Sequence, residues 1–335
     1  MSGWRVVLLR IAAMFLVILV GWVARRRKTL NAESTATLGR FVVDVTFPAL
    51  VFVQMLKSIN ADALRESWYA PFLCVAILIL GELVGLAVAS FFCAKDQRRT
   101  FIFLVSICNW VYLPLPIAEA LYPQNNEGLR TILLFNAGAQ IALWSLGVWT
   151  LRGGRPDRAA LWNLLKNPGL IATVAGIALA LMLPELGDLA KCDPLETASY
   201  FAYIGRALFE GLSLTGNLTI ALSLIVIGSQ LGGLDLSDHR RSQALGGVLF
   251  ARLLLTPVVV VALAQLAKSA GINIPDMYWM LGYLVAFMPV AVSCSMFTER
   301  FGGDTSLAAR ATFYSTLISI GSVPALFYLA QSLKL

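Results

Sequence analysis

Apolar positions in this chain come in long runs rather than in alternation. Ten mainly apolar stretches are separated by short polar segments: 6–24, 37–57, 68–93, 99–121, 129–151, 167–186, 210–232, 244–267, 277–298 and 307–332. A helix needs ~20 such residues to cross a bilayer, so the pattern predicts ten membrane-spanning helices. The stretch 199–234 is too long for one crossing, and residues 199–209 are expected to form a short interfacial helix before the seventh span. The fold class is all-α polytopic membrane protein.

Composition agrees. Of 335 residues, 58% are hydrophobic and 13% charged, about half the charged share of an ordinary soluble protein. Mean hydropathy is +0.76. The first run is followed by Arg25, Arg26, Arg27 and Lys28 rather than by a small-residue cleavage site, so it is expected to stay as an anchor and not to leave as a signal peptide.

The net charge of +7 could suggest nucleic acid, but the basic residues flank apolar runs, which points to membrane topology and to no nucleic-acid partner. Fourteen Lys and Arg gather on one side of the ten spans, among them Arg25–Lys28, Lys95, Arg98, Arg99, Arg240, Arg241 and Arg300. Seven lie on the other, including Arg5, Lys57, Arg65, Arg130 and Lys191. The richer side is read as cytoplasmic, which puts both termini outside. Span 1 then runs inward and span 6 outward. Residues 1–151 and 167–335 are therefore expected to be two inverted five-helix repeats, joined by a cytoplasmic linker at 152–166.

The fourth run contains "CNWVYLPLP", Cys108 to Pro116. A proline in a helix interior removes a hydrogen bond, clashes with the preceding turn and costs about 3 kcal/mol. It also pushes the residue before it toward extended backbone. With Pro114 and Pro116 two residues apart, Leu113–Pro116 is expected to unwind. Freed backbone groups at membrane depth must then be buried in protein or line a wet cavity. Pro116 suits the start of a new half-helix, whose positive end would face the bilayer midplane. Pro289 in "FMPVAVSCSM" occupies the matching place in the ninth run, with Ser293 and Ser295 as nearby hydroxyls. The two breaks predict a polar site at mid-membrane, in which positive ends suit an anion and carbonyl ends a cation.

Ionisable residues within apolar runs are costly and point to function. Asp44 lies roughly 12 Å into span 2 and Glu82 is central in span 3; either could carry a proton or a sodium ion. Arg252, in span 8, is the candidate counter-ion for a carboxylate, with snorkelling to the cytoplasmic interface as its structural alternative. Asn136, Gln140, Asn217 and Gln54 either line a cavity or bond between helices. His239, the only histidine, falls in the loop "DLSDHRRSQ" and reads as solvated. The five cysteines form no disulfide framework and no metal spacing. No H-E-x-x-H, G-x-S-x-G or Walker A sequence is present. No enzyme activity and no cofactor are expected.

Four segments together resemble the auxin efflux carrier family of plant auxin carriers and bacterial malonate-type transporters. They are "VVDVTFPALVFVQML", "CNWVYLPLPIAEALYP", "ARLLLTPVVV" and "LVAFMPVAVSCSMFTERFGGDTSLAARATFYSTLISIGSVP", in that order over most of the chain. The resemblance implies broken, crossing helices 4 and 9, a dimerising scaffold of spans 1, 2, 6 and 7, and a moving transport domain of spans 3–5 and 8–10. It also implies a small organic anion bound near Asn109, Pro116 and Pro289. Pro114 stands where the family often has Gly, so the unwound stretch is expected to be longer, and the bulky Trp110 and Tyr112 are expected to shape the pocket for a different acid; Tyr112, Pro114, Ser293 and Asn217 complete the candidate substrate-site residues. The loop at 152–166 is short beside that of many plant carriers, so the resemblance implies a bacterial-type member in a bacterial inner (cell) membrane; the reading is a secondary transporter of organic acids in that lipid bilayer, coupled to protons or sodium and homodimeric. The alternative is a membrane sensor or scaffold that binds a small molecule without moving it.

Overall fold

A computed structural model describes residues 3–122, 127–154, 162, 164–186, 200–233 and 242–333. His239, Cys192, Lys191, Arg240 and Arg241 lie outside the described residues. In chain order the helices are α1 (Gly3–Arg26), α2 (Ala32–Ser58), α3 (Ala61–Ser67), α4 (Ala70–Phe92), α5 (Arg98–Ser106), α6 (Pro114–Leu121), α7 (Glu127–Leu151), α8 (Pro168–Met182), α9 (Tyr200–Gly232), α10 (Gln243–Ser269), α11 (Asp276–Ala286), α12 (Cys294–Phe301) and α13 (Thr305–Ser332). Among the described residues seven helices are long and apolar enough to cross a membrane. The other three predicted crossings differ: α8 is apolar but short, and the fourth and ninth runs are broken into α5–α6 and α11–α12.

Local chemistry explains many boundaries. Asn31, Asn60, Asn167 and Asp304 each accept a backbone N–H of the first turn of α2, α3, α8 and α13, meeting donors that a helix start leaves unpaired. Gly302 ends α12 at φ 85°, the left-handed conformation that glycine adopts without a Cβ penalty. Two helices widen by one residue just before a proline. Pro48 and Pro257 lack an N–H and crowd the carbonyl four residues back; the chain answers with single π turns at Val42–Thr46 and Ala251–Leu255. A third π turn, Leu143–Gly147, has no proline behind it.

The expectation of an interfacial helix at 199–209 is not met. Helix α9 runs unbroken for 33 residues, roughly 50 Å at 1.5 Å per residue. It exceeds the hydrocarbon thickness and includes residues 200–209 as its own first turns. No Pro or cap signal interrupts the stretch, and length alone does not break a helix.

The helices pack in two groups. In the first, α9 packs between α1 and α2, and α8 packs on α2; α1 also touches α6 and α13, and α2 and α8 also touch α7. At the α1–α9 seam, a Cβ on Gly228 would stand 1.9 Å from the Ile18 carbonyl oxygen, so only glycine permits that approach. Helices α4–α7 and α10–α13 form the second group. Burial varies from helix to helix: 22% of the α1 window is buried, 39% of the α2, α9 and α13 windows, and 67% of the α7 window. The first helix therefore turns most of its surface outward, and the seventh is enclosed.

Candidate functional site

The broken fourth run sits where its backbone can be satisfied. From Thr100 to Ala118 every residue is buried except Tyr112, which is half-buried. The ninth run is likewise buried from Leu281 to Ala291. The two unwound segments cross and pair antiparallel at Cys108 and Val290. The Asn109 N–H donates to the Pro289 carbonyl at 2.8 Å, and the Ala291 N–H to the Ile107 carbonyl at 3.2 Å. Each break supplies what the other lost, which meets the demand that irregular backbone at membrane depth be buried in protein.

Four half-helix ends converge there. The C-terminal ends belong to α5 and α11, the N-terminal ends to α6 and α12. Helix α6 starts at Pro114, with Pro116 its third residue, so the break ends two residues earlier than the sequence predicts. Its N-terminus offers few donors. Pro114 and Pro116 have no N–H, Leu115 N–H goes to the Val111 carbonyl at 2.8 Å, and Leu113 N–H goes to Asn109 Oδ1 at 3.3 Å. That end attracts an anion by its field more than by hydrogen bonds. Ser293 precedes α12, half-buried, and its side chain makes no cap bond.

Arg252 occupies the carbonyl side. It is fully buried, in the π turn that Pro257 forces. Its Nε donates to Met288 O at 3.1 Å, Nη1 to Val105 O at 3.1 Å, and Nη2 to Val285 O at 3.4 Å and to Ala286 O. Val105, Val285 and Ala286 belong to the last turns of α5 and α11, where carbonyls run short of helical N–H partners, although Val285 O also accepts the Met288 N–H; Met288 lies two residues past the end of α11. A bare guanidinium in the interior is very costly; here four carbonyls solvate it. Arg252 therefore does not snorkel to an interface, and no carboxylate among the described residues bonds it.

The remaining predicted residues are dispersed. Glu82 is buried, takes a hydrogen bond from Thr150 Oγ1, and leaves Oε2 buried without a partner. Its neighbour Gly81 lies against Ser106 and the Val105 carbonyl, so the carboxylate stands beside the end of α5. Asp44 is exposed on α2, and Asn217 is exposed on α9. Depth along a helix marked Asp44, but its direction is away from the crossing. Tyr112 sets its ring edge to Phe47 of α2, centroids 6.0 Å apart.

Sequence reasoning did not single out two supports of the site. Ser315 Oγ accepts the Val290 N–H at 3.1 Å, and Thr312 Oγ1 donates to the Ala291 carbonyl at 3.4 Å. With Thr316 and Ser319 they recur at three- and four-residue spacing on one buried face of α13, which is the available signal. On the other side, Trp110 Nε1 donates to Asn136 Oδ1 at 3.0 Å, and Asn136 Nδ2 is buried without a partner.

A cavity of about 10 Å³ lies beside the crossing, between Ile11, Met14 and Phe15 of α1, Leu113 and Ile117, Met288, and Ser319 and Val323 of α13. It has room for one water at most. A larger cleft of about 440 Å³ lies at Ala61, Leu64, Arg65, Trp68 and Leu181 and holds none of the crossing residues.

Comparison with known proteins follows the same outline. The family described as "Membrane transport protein" matches residues 6–160 and 156–327. An uncharacterized transporter of Methanothermobacter thermautotrophicus is 22% identical over 330 residues, covering 94% of this chain and 95% of its own length. Protein PIN-LIKES 7 of Arabidopsis thaliana is 22% identical over 330 residues, covering 81% of this chain and 83% of its own. A Na(+)/H(+) antiporter, NhaA 2, of Mycolicibacterium gilvum is 26% identical over 217 residues, covering 60% of this chain and 43% of its own. The chain is an integral membrane protein and belongs to the membrane transport protein family, that of the auxin efflux carriers.

Proposed function

We propose that this transporter moves small organic acid anions by alternating access of elevator type, with the crossing of the two broken runs as its substrate site. The observation that carries the reading is the burial of that crossing with the N-terminal ends of α6 and α12 turned toward it, a place where an anion is favoured. Asn109, Tyr112, Pro114, Pro116, Pro289 and Ser293 are its substrate-site candidates. Asn217, exposed on α9, joins them only if α9 faces the substrate path. Asp44 and Glu82 remain the ion-coupling candidates, and Glu82, with its unpartnered oxygen, is the better placed. Ten crossings in two inverted five-helix repeats, with both termini outside the cell membrane, fit the order of the helices and the two paired breaks.

The packing supports the elevator. Helices α1, α2, α8 and α9 make the scaffold, through which two copies would dimerise, and the other group carries the site. The 10 Å³ cavity is far too small for a carboxylic acid, so α1 must part from α6 and α13 for substrate to enter. Proteoliposome uptake of malonate, malate, succinate and indole-3-acetate, each with a pH gradient, a sodium gradient or neither, tests the reading. Saturable uptake of one acid is expected. Binding of an acid to folded protein without uptake under any gradient would overturn it in favour of a sensor.

A further inference from the structure

We propose that Arg252 is a built-in cation that makes the crossing an anion site, standing where a coupling cation would otherwise sit between the carbonyl ends of α5 and α11. The charge count follows from the helix ends. A helix terminus carries roughly half an elementary charge, positive at the N-terminus and negative at the C-terminus. Two ends of each sign meet here, so by themselves they cancel. Arg252 bonds only to the negative pair, through Val105 on α5, Val285 and Ala286 on α11, and Met288 two residues past the end of α11. It neutralises about −1 and, with the Glu82 carboxyl beside the end of α5 counted in its protonated form, leaves about +1 on the amide side, at α6 and α12. The crossing then matches a monovalent anion.

Two features make this more than helix capping. One guanidinium joins the last turns of both half-helices, so it responds to the crossing as a unit. It also fills the carbonyl cage. A small hard cation would need those same oxygens, so none is required or admitted at that place. Arg252 is a positioning residue: it touches the helix ends and sets the field a substrate meets. The charge-matching half of the inference rests on the proposed organic-anion site; the cage-filling half does not.

The test separates the two. Wild type, Arg252→Ala, Arg252→Gln and Arg252→Lys are placed in lipid nanodiscs. Thermal unfolding is followed in choline, sodium and methylguanidinium chloride at equal ionic strength. Wild type and Arg252→Lys are expected to unfold at the same temperature in all three salts. Arg252→Ala and Arg252→Gln are expected to unfold lower in choline and to rise in methylguanidinium, because a ligand held only by the folded state stabilises it. A neutral variant that ignores the cation overturns the cage. If Arg252→Ala does not fold, Arg252→Gln decides, since its amide can still bond carbonyls while carrying no charge. In uptake of whichever acid the wild type transports, Arg252→Lys is expected to stay within a few fold and Arg252→Gln to lose at least about tenfold, mostly in KM, as about 1.4 kcal/mol of lost anion attraction would give. Equal uptake by the two overturns the charge argument. Absence of any uptake by wild type is a failure of the transport reading and leaves the unfolding result to judge the cage.

Discussion

The two broken runs reach the same end by different means. The fourth breaks itself: Pro114 and Pro116 exclude a continuous helix, and Asn109, four residues from Leu113, ties the loose turn with its own side chain. The ninth has a single proline, Pro289, and relies on another helix, since Ser315 takes its Val290 N–H and Thr312 reaches its Ala291 carbonyl. One break is written locally and the other is held by tertiary contact. The difference implies that the first should persist when its neighbours are disturbed, while the second depends on α13 staying in place.

The largest effect should come from removing the local instruction. Each proline opposes a helical interior by about 3 kcal/mol, so Pro114→Ala with Pro116→Ala frees α6 to extend back toward Asn109 and to pull it from Pro289. Uptake is expected to fall by at least about tenfold, roughly 1.4 kcal/mol or more, while the protein stays folded by thermal unfolding. Pro116→Ala alone should do less, because Pro114 remains at the first helical position. A double variant that transports like wild type would show that the break is dictated from outside, as the ninth is.

Second comes the tertiary support. Ser315→Ala leaves the buried Val290 N–H without an acceptor, at a cost of about 1–3 kcal/mol. Lower thermal stability is expected, with Ser315→Thr restoring much of it. If Ser315→Ala unfolds where wild type does, Ser315 is not what holds the ninth break.

How much of this the sequence disclosed follows the same division. Local chemistry was readable: the paired prolines, Pro289, the ten apolar runs and the lack of charge between Thr100 and Ala118. The partner of Val290 lies 25 residues away on α13, and no pattern near Pro289 announces it. Arg252 and Asp44 illustrate a different limit. Counting along a helix gives depth but not direction, so the sequence alone does not show that Arg252 is fully buried or that Asp44 faces outward on α2. The 199–209 segment failed because a rule about bilayer thickness was asked to end a helix that nothing in the residues ends.

The smallest expected effect tests the asymmetry most closely. Asn109→Ala removes the acceptor of the Leu113 N–H, but that bond is long at 3.3 Å, and the prolines still hold the break. The backbone bond from Asn109 N–H to Pro289 is untouched by the side-chain change. The loss should therefore sit near the low end of the usual 0.5–1.5 kcal/mol for one hydrogen bond, below that of Ser315→Ala in the same unfolding assay. Should Asn109→Ala prove the more damaging of the two, the fourth break would be held by its asparagine more than by its prolines, and the contrast between a self-made break and a supported one would collapse.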